Sequence, residues 1–139
     1  MAGHETTSTL LQWTLYELSK KPEIQEKLYK EITQILQGRD PTYDDYDTLV
    51  YVNCVIMESL RLNPPVVSVV KYVAKKTTTI GKYTITKGTN VNGYIYAVHH
   101  DEKRYKNPTE FIPERFENAE VREKALHDMN WIPFSMGNR

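Results

Sequence analysis

An acid and an arginine stand three residues apart in the most apolar stretch of this chain, "TLVYVNCVIMESLRLNPP". The spacing of Leu49, Val52, Ile56 and Leu60 predicts a helix with one apolar face. Pro64 disfavours helical geometry at Asn63 and so ends it. On that helix Glu58 and Arg61 are i, i+3 neighbours and can pair. An exposed pair of this kind is worth little. Here the surrounding apolar residues leave little exposed face. A buried pair needs a further partner for the arginine fork and the second carboxylate oxygen. "FIPERF" supplies one much later in the chain: Arg115, held between Pro113 and Phe116. The fold must therefore bring that distant segment against this helix.

Around this constraint the first half reads as helical. Leu11, Leu15 and Leu18 fall on one face, with Trp13 close by. "SKKPE" breaks the pattern, and Pro22 suits the first position of a new helix with Glu23 in its first turn. Ile24, Leu28, Ile32, Ile35 and Leu36 recur at helical spacing, and Gly38 suits the C-terminal cap. Thr42 and Asp45 form a candidate capping box that merges into the Glu58 helix. After Pro65 the pattern changes. "VVSVVKYVA" is β-branched and short, "TTTIGKYTIT" reads as a hairpin around Gly81–Lys82, and "KGTNVNGYIYAVHH" as a turn running into a strand. From Asp101 the chain is loop-like, with a short helix over 118–128. The expected class is mainly α with a small β-sheet, an α+β arrangement.

A length of 139 residues fits one domain. Eighteen basic and eighteen acidic side chains cancel, which gives no electrostatic reason for nucleic acid as a partner. A single cysteine, Cys54, excludes an internal disulfide. No stretch reaches the roughly 18–20 apolar residues that cross a bilayer. The start, "MAGHETTSTL", lacks a signal-peptide pattern and falls inside a helix without an N-cap, so Met1 is not read as an initiator.

Three further stretches carry chemistry. In "AGHETTS", Ala2 and Gly3 leave room beside the helix, and Glu5, Thr6 and Thr7 put a carboxylate and two hydroxyls in one turn. That set reads either as a proton relay or as a polar helix start. His99 and His100 are adjacent, so on an extended chain they point opposite ways, and a loop role is favoured over a shared metal. "WIPFSMGNR" has the make-up of a shaped loop: Pro133 fixes φ, Gly137 permits a turn, and Arg139 offers five donors.

"AGHETTS", "ESLRLNPP", "FIPERF" and "PFSMGNR" occur in that order over essentially the whole chain. In this the chain resembles the haem-thiolate monooxygenases, the cytochrome P-450 family. The likeness is to the C-terminal half of the catalytic domain, so residues 1–139 are expected to be a partial domain. The family pattern Phe-x-x-Gly-x-Arg-x-Cys-x-Gly is matched by Phe134, Gly137 and Arg139. Its cysteine, the haem-iron ligand, would come two residues beyond Arg139. The chain therefore reads as a partial sequence, with no metal ligand of its own. Cys54, mid-helix among core residues, is read as a small hydrophobe.

The resemblance implies a haem b cofactor with an axial thiolate. It implies that Ala2 and Gly3 face the haem and that Glu5 and Thr6 manage protons for dioxygen. Glu58, Arg61 and Arg115 would form a structural charge triad behind the haem loop. Phe134 would pack near the ligand sulfur, Gly137 would shape the loop, and Arg139 would approach a propionate. Val66, Val67, Ser68 and Val69 would contact an apolar substrate. Many relatives carry an arginine just beyond; here Lys71 stands in as a point charge. The parent would insert one oxygen atom of dioxygen into a small apolar molecule. It would draw electrons from an NADPH-dependent flavin reductase, on the cytoplasmic face of the endoplasmic reticulum membrane. The competing reading is a non-enzymatic α+β scaffold or interaction module that keeps the fold without haem.

Overall fold

The computed structural model of the chain describes residues 2–136, apart from the side chains of Ala2, Val70 and Lys71. Helix α1 spans Ala2–Lys20 and α2 spans Pro22–Leu36, with Pro22 in the first turn of α2 as expected. The C-cap of α2 is Gln37, which takes the left-handed position at φ 50° and bonds Thr33 O; Gly38 follows at φ 86°. The expected glycine cap is thus displaced by one residue. Of the α1 leucines expected to share an inward face, only Leu18 is buried. Leu11 and Leu15 are 57% and 67% exposed. Among the described residues, α1 is covered chiefly near its C-terminal end, where Glu17 and Leu18 are buried.

Thr42 and Asp45 do meet: Asp45 Oδ2 accepts from Thr42 N at 2.7 Å, and Arg39 forks onto the same carboxylate. Arg39, with the Thr42 amide, holds the Asp45 carboxyl well below the usual carboxylate range. This turn, Tyr43–Asp45, stays separate from helix α3, which begins at Val50 and ends at Leu62. No side chain of Leu49 caps α3. Glu31 of α2 does so instead, accepting from Tyr51 N at 2.7 Å and Val52 N at 2.9 Å.

The buried face of α3 also differs from the expected one. Tyr51, Cys54, Val55, Glu58, Arg61 and Leu62 are buried, as is Leu60, whereas Ile56 is 40% exposed and Val52 half-buried. A helix apolar on nearly every side satisfies the helical period on more than one face. The charge pair and the small Cys54 lie on the face that is covered.

Two antiparallel ribbons follow in place of one sheet. β1 (Ser68–Val73) pairs with β4 (Asn90–Tyr94), with an irregularity between Val69 and Tyr72. β2 (Thr78–Ile80) and β3 (Tyr83–Ile85) form the expected hairpin, turning at Gly81 with φ 58°. The strand expected through "YIYAVHH" stops at Tyr94. Ile95–His99 is a short helix, α4, whose Ile95 and His99 are buried together at i, i+4. His99 therefore ends a helix and His100 is its C-cap, so the pair does not lie on an extended strand. A 3-10 turn at Pro113–Phe116 packs on α3, and α5 (Ala119–His127) closes the unit. Asn118 caps α5, its side chain accepting from Glu120 N at 2.8 Å. Leu18, Ile24, Tyr51, Cys54, Val55, Tyr105, Phe111, Phe116 and Ala125 share the core.

Candidate functional site

The centre of the molecule is polar. Glu58 and Arg61 are both fully buried. Arg61 Nε donates to Glu58 Oε2 at 2.7 Å and Nη2 donates to Oε1 at 2.8 Å, a bidentate pair on one helical turn. The other donors of Arg61 reach backbone carbonyls: Nη1 donates to His99 O at 2.8 Å and Pro108 O at 2.7 Å, and Nη2 to Glu110 O at 3.1 Å. All five N–H groups of the guanidinium are thus used. Tyr105 lies beside it, with the ring centroid 5.0 Å from the guanidinium carbon. Glu58 Oε1 also accepts from Ile112 N at 2.9 Å and from Arg115 Nε at 3.2 Å. Arg115 in turn donates to the Lys106 carbonyl and, at 2.6 Å, to Asn107 O. The structure brings Glu58, Arg61 and Arg115 together and wraps residues 99–115 around them.

A second set of bonds runs from this centre to the loop after α5. The neighbouring residues Asn130, Trp131 and Ile132 are each tied to a different element. Tyr105 Oη donates to Asn130 O at 3.0 Å, and Trp131 Nε1 donates to Met57 O of α3 at 3.0 Å. His99 Nε2 accepts from Ile132 N at 2.8 Å, while its Nδ1 lies 3.2 Å from Arg61 O. His99 is fully buried, and that burial lowers its pKa to about 4. The imidazole is neutral at pH 7, with Nδ1–H donating to Arg61 and Nε2 accepting.

The remaining sequence candidates lie toward the surface. Gly3 and Glu5 are exposed and Thr6 is half-buried; a Cβ at Gly3 would meet nothing within 4 Å. The neighbouring Thr7 bonds back to Gly3 O at 2.7 Å, as a helical threonine can. Val66 and Val67 are 42% and 52% exposed, with Ser68 and Val69 half-buried behind them. Phe134 is 78% exposed. The side chains of Ala2 and Lys71, and all of Gly137 and Arg139, lie outside the described residues. Cys54 sits in the core, and burial pushes its thiol pKa up, opposite to what a thiolate ligand needs. Among the described residues no group of three His, Cys, Asp or Glu side chains converges to hold a metal ion, and no helix is long and apolar enough to cross a membrane.

A cavity of about 290 Å³ lies between the β1–β4 ribbon and the loop, lined largely by apolar residues that include Val69, Val98, Ile132 and Met136. A larger cleft, about 550 Å³, is lined by Lys103, Arg104, Lys106, Arg115 and Lys124 against Asp128. Sequence reasoning missed the carbonyl cage around Arg61, the His99 bridge and the Glu31 cap. The cage has no side-chain signature, because its acceptors are backbone oxygens. The bridge had one available signal: Ile95 and His99 at i, i+4, one apolar and one polar, beside a β-branched run.

The Cytochrome P450 family model matches residues 1–139. Steroid 17-alpha-hydroxylase/17,20 lyase of Ictalurus punctatus is 38% identical over 139 residues, covering 99% of this chain and 27% of that protein. Cytochrome P450 4c21 of Blattella germanica is 40% identical over the same coverage of both chains. A zebra fish cytochrome P450 structure with progesterone superposes with a TM-score of 0.86 at 33% identity, over 98% of this chain and 30% of that one. The chain spans about a quarter of the length of the curated relatives it matches, 27%. With a match that runs from its first residue to its last, the chain belongs to the cytochrome P450 family.

Proposed function

We propose that the protein to which these residues belong is a haem-thiolate monooxygenase, and that residues 1–139 are the part of its catalytic domain leading up to the iron ligand. The observation that carries this reading is the unbroken order of "AGHETTS", "ESLRLNPP", "FIPERF" and "PFSMG" inside one family match over residues 1–139. The substrate reading stays at a small apolar organic molecule. Steroid hydroxylases stand at 34–38% identity and other cytochromes P450 at 36–40%, so identity favours no narrower class. The electron donor is read as an NADPH-dependent flavin reductase, and the site as the cytoplasmic face of the endoplasmic reticulum.

The chain's residues fit one wall of a haem site and supply no axial ligand. Exposed Val66, Val67 and Phe134 suit a large flat apolar group, and the open space at Gly3 lets a bulky partner approach α1. Cys54 is enclosed in the core and is not a ligand. Haem b, when bound, supplies the activation of dioxygen. The protein's part is to hold and to protonate. Thr6 would hold a water on the oxygen side of α1, and Glu5, exposed to solvent, would pass protons toward it. Val66, Val67, Ser68 and Val69 would exclude water from the substrate side. Arg139 and Lys71 would meet the propionates, and Gly137 would let the backbone approach. Glu58, Arg61 and Arg115 would hold the architecture behind the loop without touching reacting atoms.

The test is the full-length protein, loaded with haem, reduced and exposed to carbon monoxide. A cysteine two residues after Arg139 and a thiolate-type Soret band are the expected results. Another residue at that position, with no such band, would overturn the reading.

A further inference from the structure

We propose that His99 is a positioning residue: its imidazole fastens the backbone at Ile132 to the C-terminal end of α3 and thereby fixes the path of the loop that carries Phe134. The proposal rests on the reading above only for what that loop later delivers.

The geometry is a bridge between three segments. His99 ends the one-turn helix α4, and its carbonyl takes a hydrogen bond from Arg61 Nη1 at 2.8 Å. Its Nδ1–H returns a bond to Arg61 O at 3.2 Å. Helix α3 and α4 are therefore cross-linked in both directions around one residue pair. The remaining ring nitrogen, Nε2, takes the Ile132 amide at 2.8 Å. A neutral imidazole has one donor and one acceptor, and both are used here. An apolar side chain of similar size would fill the space and leave the Ile132 N–H and the Arg61 carbonyl without these partners. Buried backbone groups left so are costly.

Position makes this more than a satisfied core histidine. Asn130 and Trp131 are held by Tyr105 and by the Met57 carbonyl, and Ile132 is the last of the three consecutive pinned residues. Phe134 stands two residues further and is 78% exposed, so little within the described residues holds its side chain. The direction in which the chain leaves Ile132 then sets where the loop goes. The Ser135 amide bonds back to Ile132 O at 3.0 Å, so the turn that follows is hung on the same residue.

The two ring bonds can be separated in the full-length protein. A glutamine amide reaches about where Nε2 sits, and an asparagine amide about where Nδ1 sits. His99→Gln keeps an acceptor for Ile132 and loses the Arg61 bond. His99→Asn does the reverse, and His99→Phe loses both. Amide hydrogen exchange is read at Ile132 and along 134–136, together with haem content and the Soret band of the reduced carbon monoxide complex.

Positioning predicts faster exchange at Ile132 in His99→Asn and His99→Phe, by about tenfold for one lost bond. It also predicts a smaller thiolate-type fraction at unchanged haem content, with His99→Gln near wild type. Equal losses in all three variants, or unchanged exchange at Ile132 in His99→Asn, would overturn it. Should the variants not fold, the wild type decides: an Ile132 amide exchanging like open backbone refutes the bridge, and one protected like the α3 core supports it. Absence of a thiolate-type band in the wild type would count against the monooxygenase reading alone, since exchange at Ile132 reads the bridge without it.

Discussion

Arg61 shows how much one buried side chain can hold. Its guanidinium spends two N–H groups on Glu58 and three on carbonyls of residues 99, 108 and 110. Lysine offers three donors from one point and cannot span that cage. Arg61→Lys should therefore behave almost like Glu58→Ala, which leaves the two arginines without their carboxylate partner. Breaking a buried pair typically costs about 3–5 kcal/mol. Chemical denaturation of the full-length protein, with haem content as a second reading, checks this; a wild-type midpoint for either variant contradicts it. His99 gives a pH dependence of known sign. Burial, then the neighbouring Arg61 and His100, lower its folded pKa to about 4 from the ordinary 6.5. Between those values the unfolded chain binds more protons. Stability is full above pH 6.5 and falls as pH drops toward 4, by up to roughly 3 kcal/mol. A denaturation midpoint flat over that range for the histidine-specific component, judged against His99→Gln, would contradict the assignment. Thr6 carries the functional prediction at this scale. Thr6→Ala should retain haem and still consume reductant, while more of that reductant ends as peroxide. Thr7 bonds back to its own helix at Gly3 O and is exposed, so Thr7→Ala serves as the control. An unchanged ratio of product to reductant in Thr6→Ala would return "AGHETTS" to an ordinary helix start.

At the scale of elements, what could be read from the sequence was what a segment decides for itself. Pro22 opens α2 and Gly81 turns the hairpin because each acts on its own backbone within a few residues. What could not be read is decided between segments. The covered face of α3 depends on what packs there, and its apolar residues allow more than one choice. The strand expected through "YIYAVHH" gave way to α4 because Ile95 and His99 both find buried places one helical turn apart. Helix α3 starts without a local cap because Glu31 reaches across from α2 to two of its open amides. That makes a sequence-remote cap testable. Glu31→Ala should cost about 1–2 kcal/mol, the range of a lost helix cap with its favourable charge. Glu31→Gln should recover part of it through one remaining acceptor oxygen. Equal stability of wild type and Glu31→Ala in thermal denaturation would show that water satisfies those amides equally well.

For the whole molecule, the order of four short motifs was enough to give the family, because each motif serves a different part of one architecture. The bonds that join those parts were not legible, since most end on backbone carbonyls that carry no residue identity. The same separation governs how residues 1–139 should behave alone. The core around Glu58 and Arg61 is internally complete: acid, arginines, carbonyls and His99 all come from within the chain. The outer surface is not. Leu11, Leu15, Val67 and Phe134 are each more than half exposed, and the chain spans 27% of the length of its relatives. Exposed apolar groups in such number drive association. Residues 1–139 on their own should therefore keep helical far-ultraviolet dichroism, bind a hydrophobic dye and run larger than 16.2 kDa in size-exclusion chromatography. With Cys54 enclosed in the core, they should give no thiolate-type Soret band with haem and carbon monoxide. A monomeric, dye-free species would mean that the apolar face closes on itself. A thiolate-type band would mean that the core had opened far enough to release Cys54. That would contradict the stability assigned to the charge cluster, because Cys54 lies one helical turn before Glu58 on the same covered face.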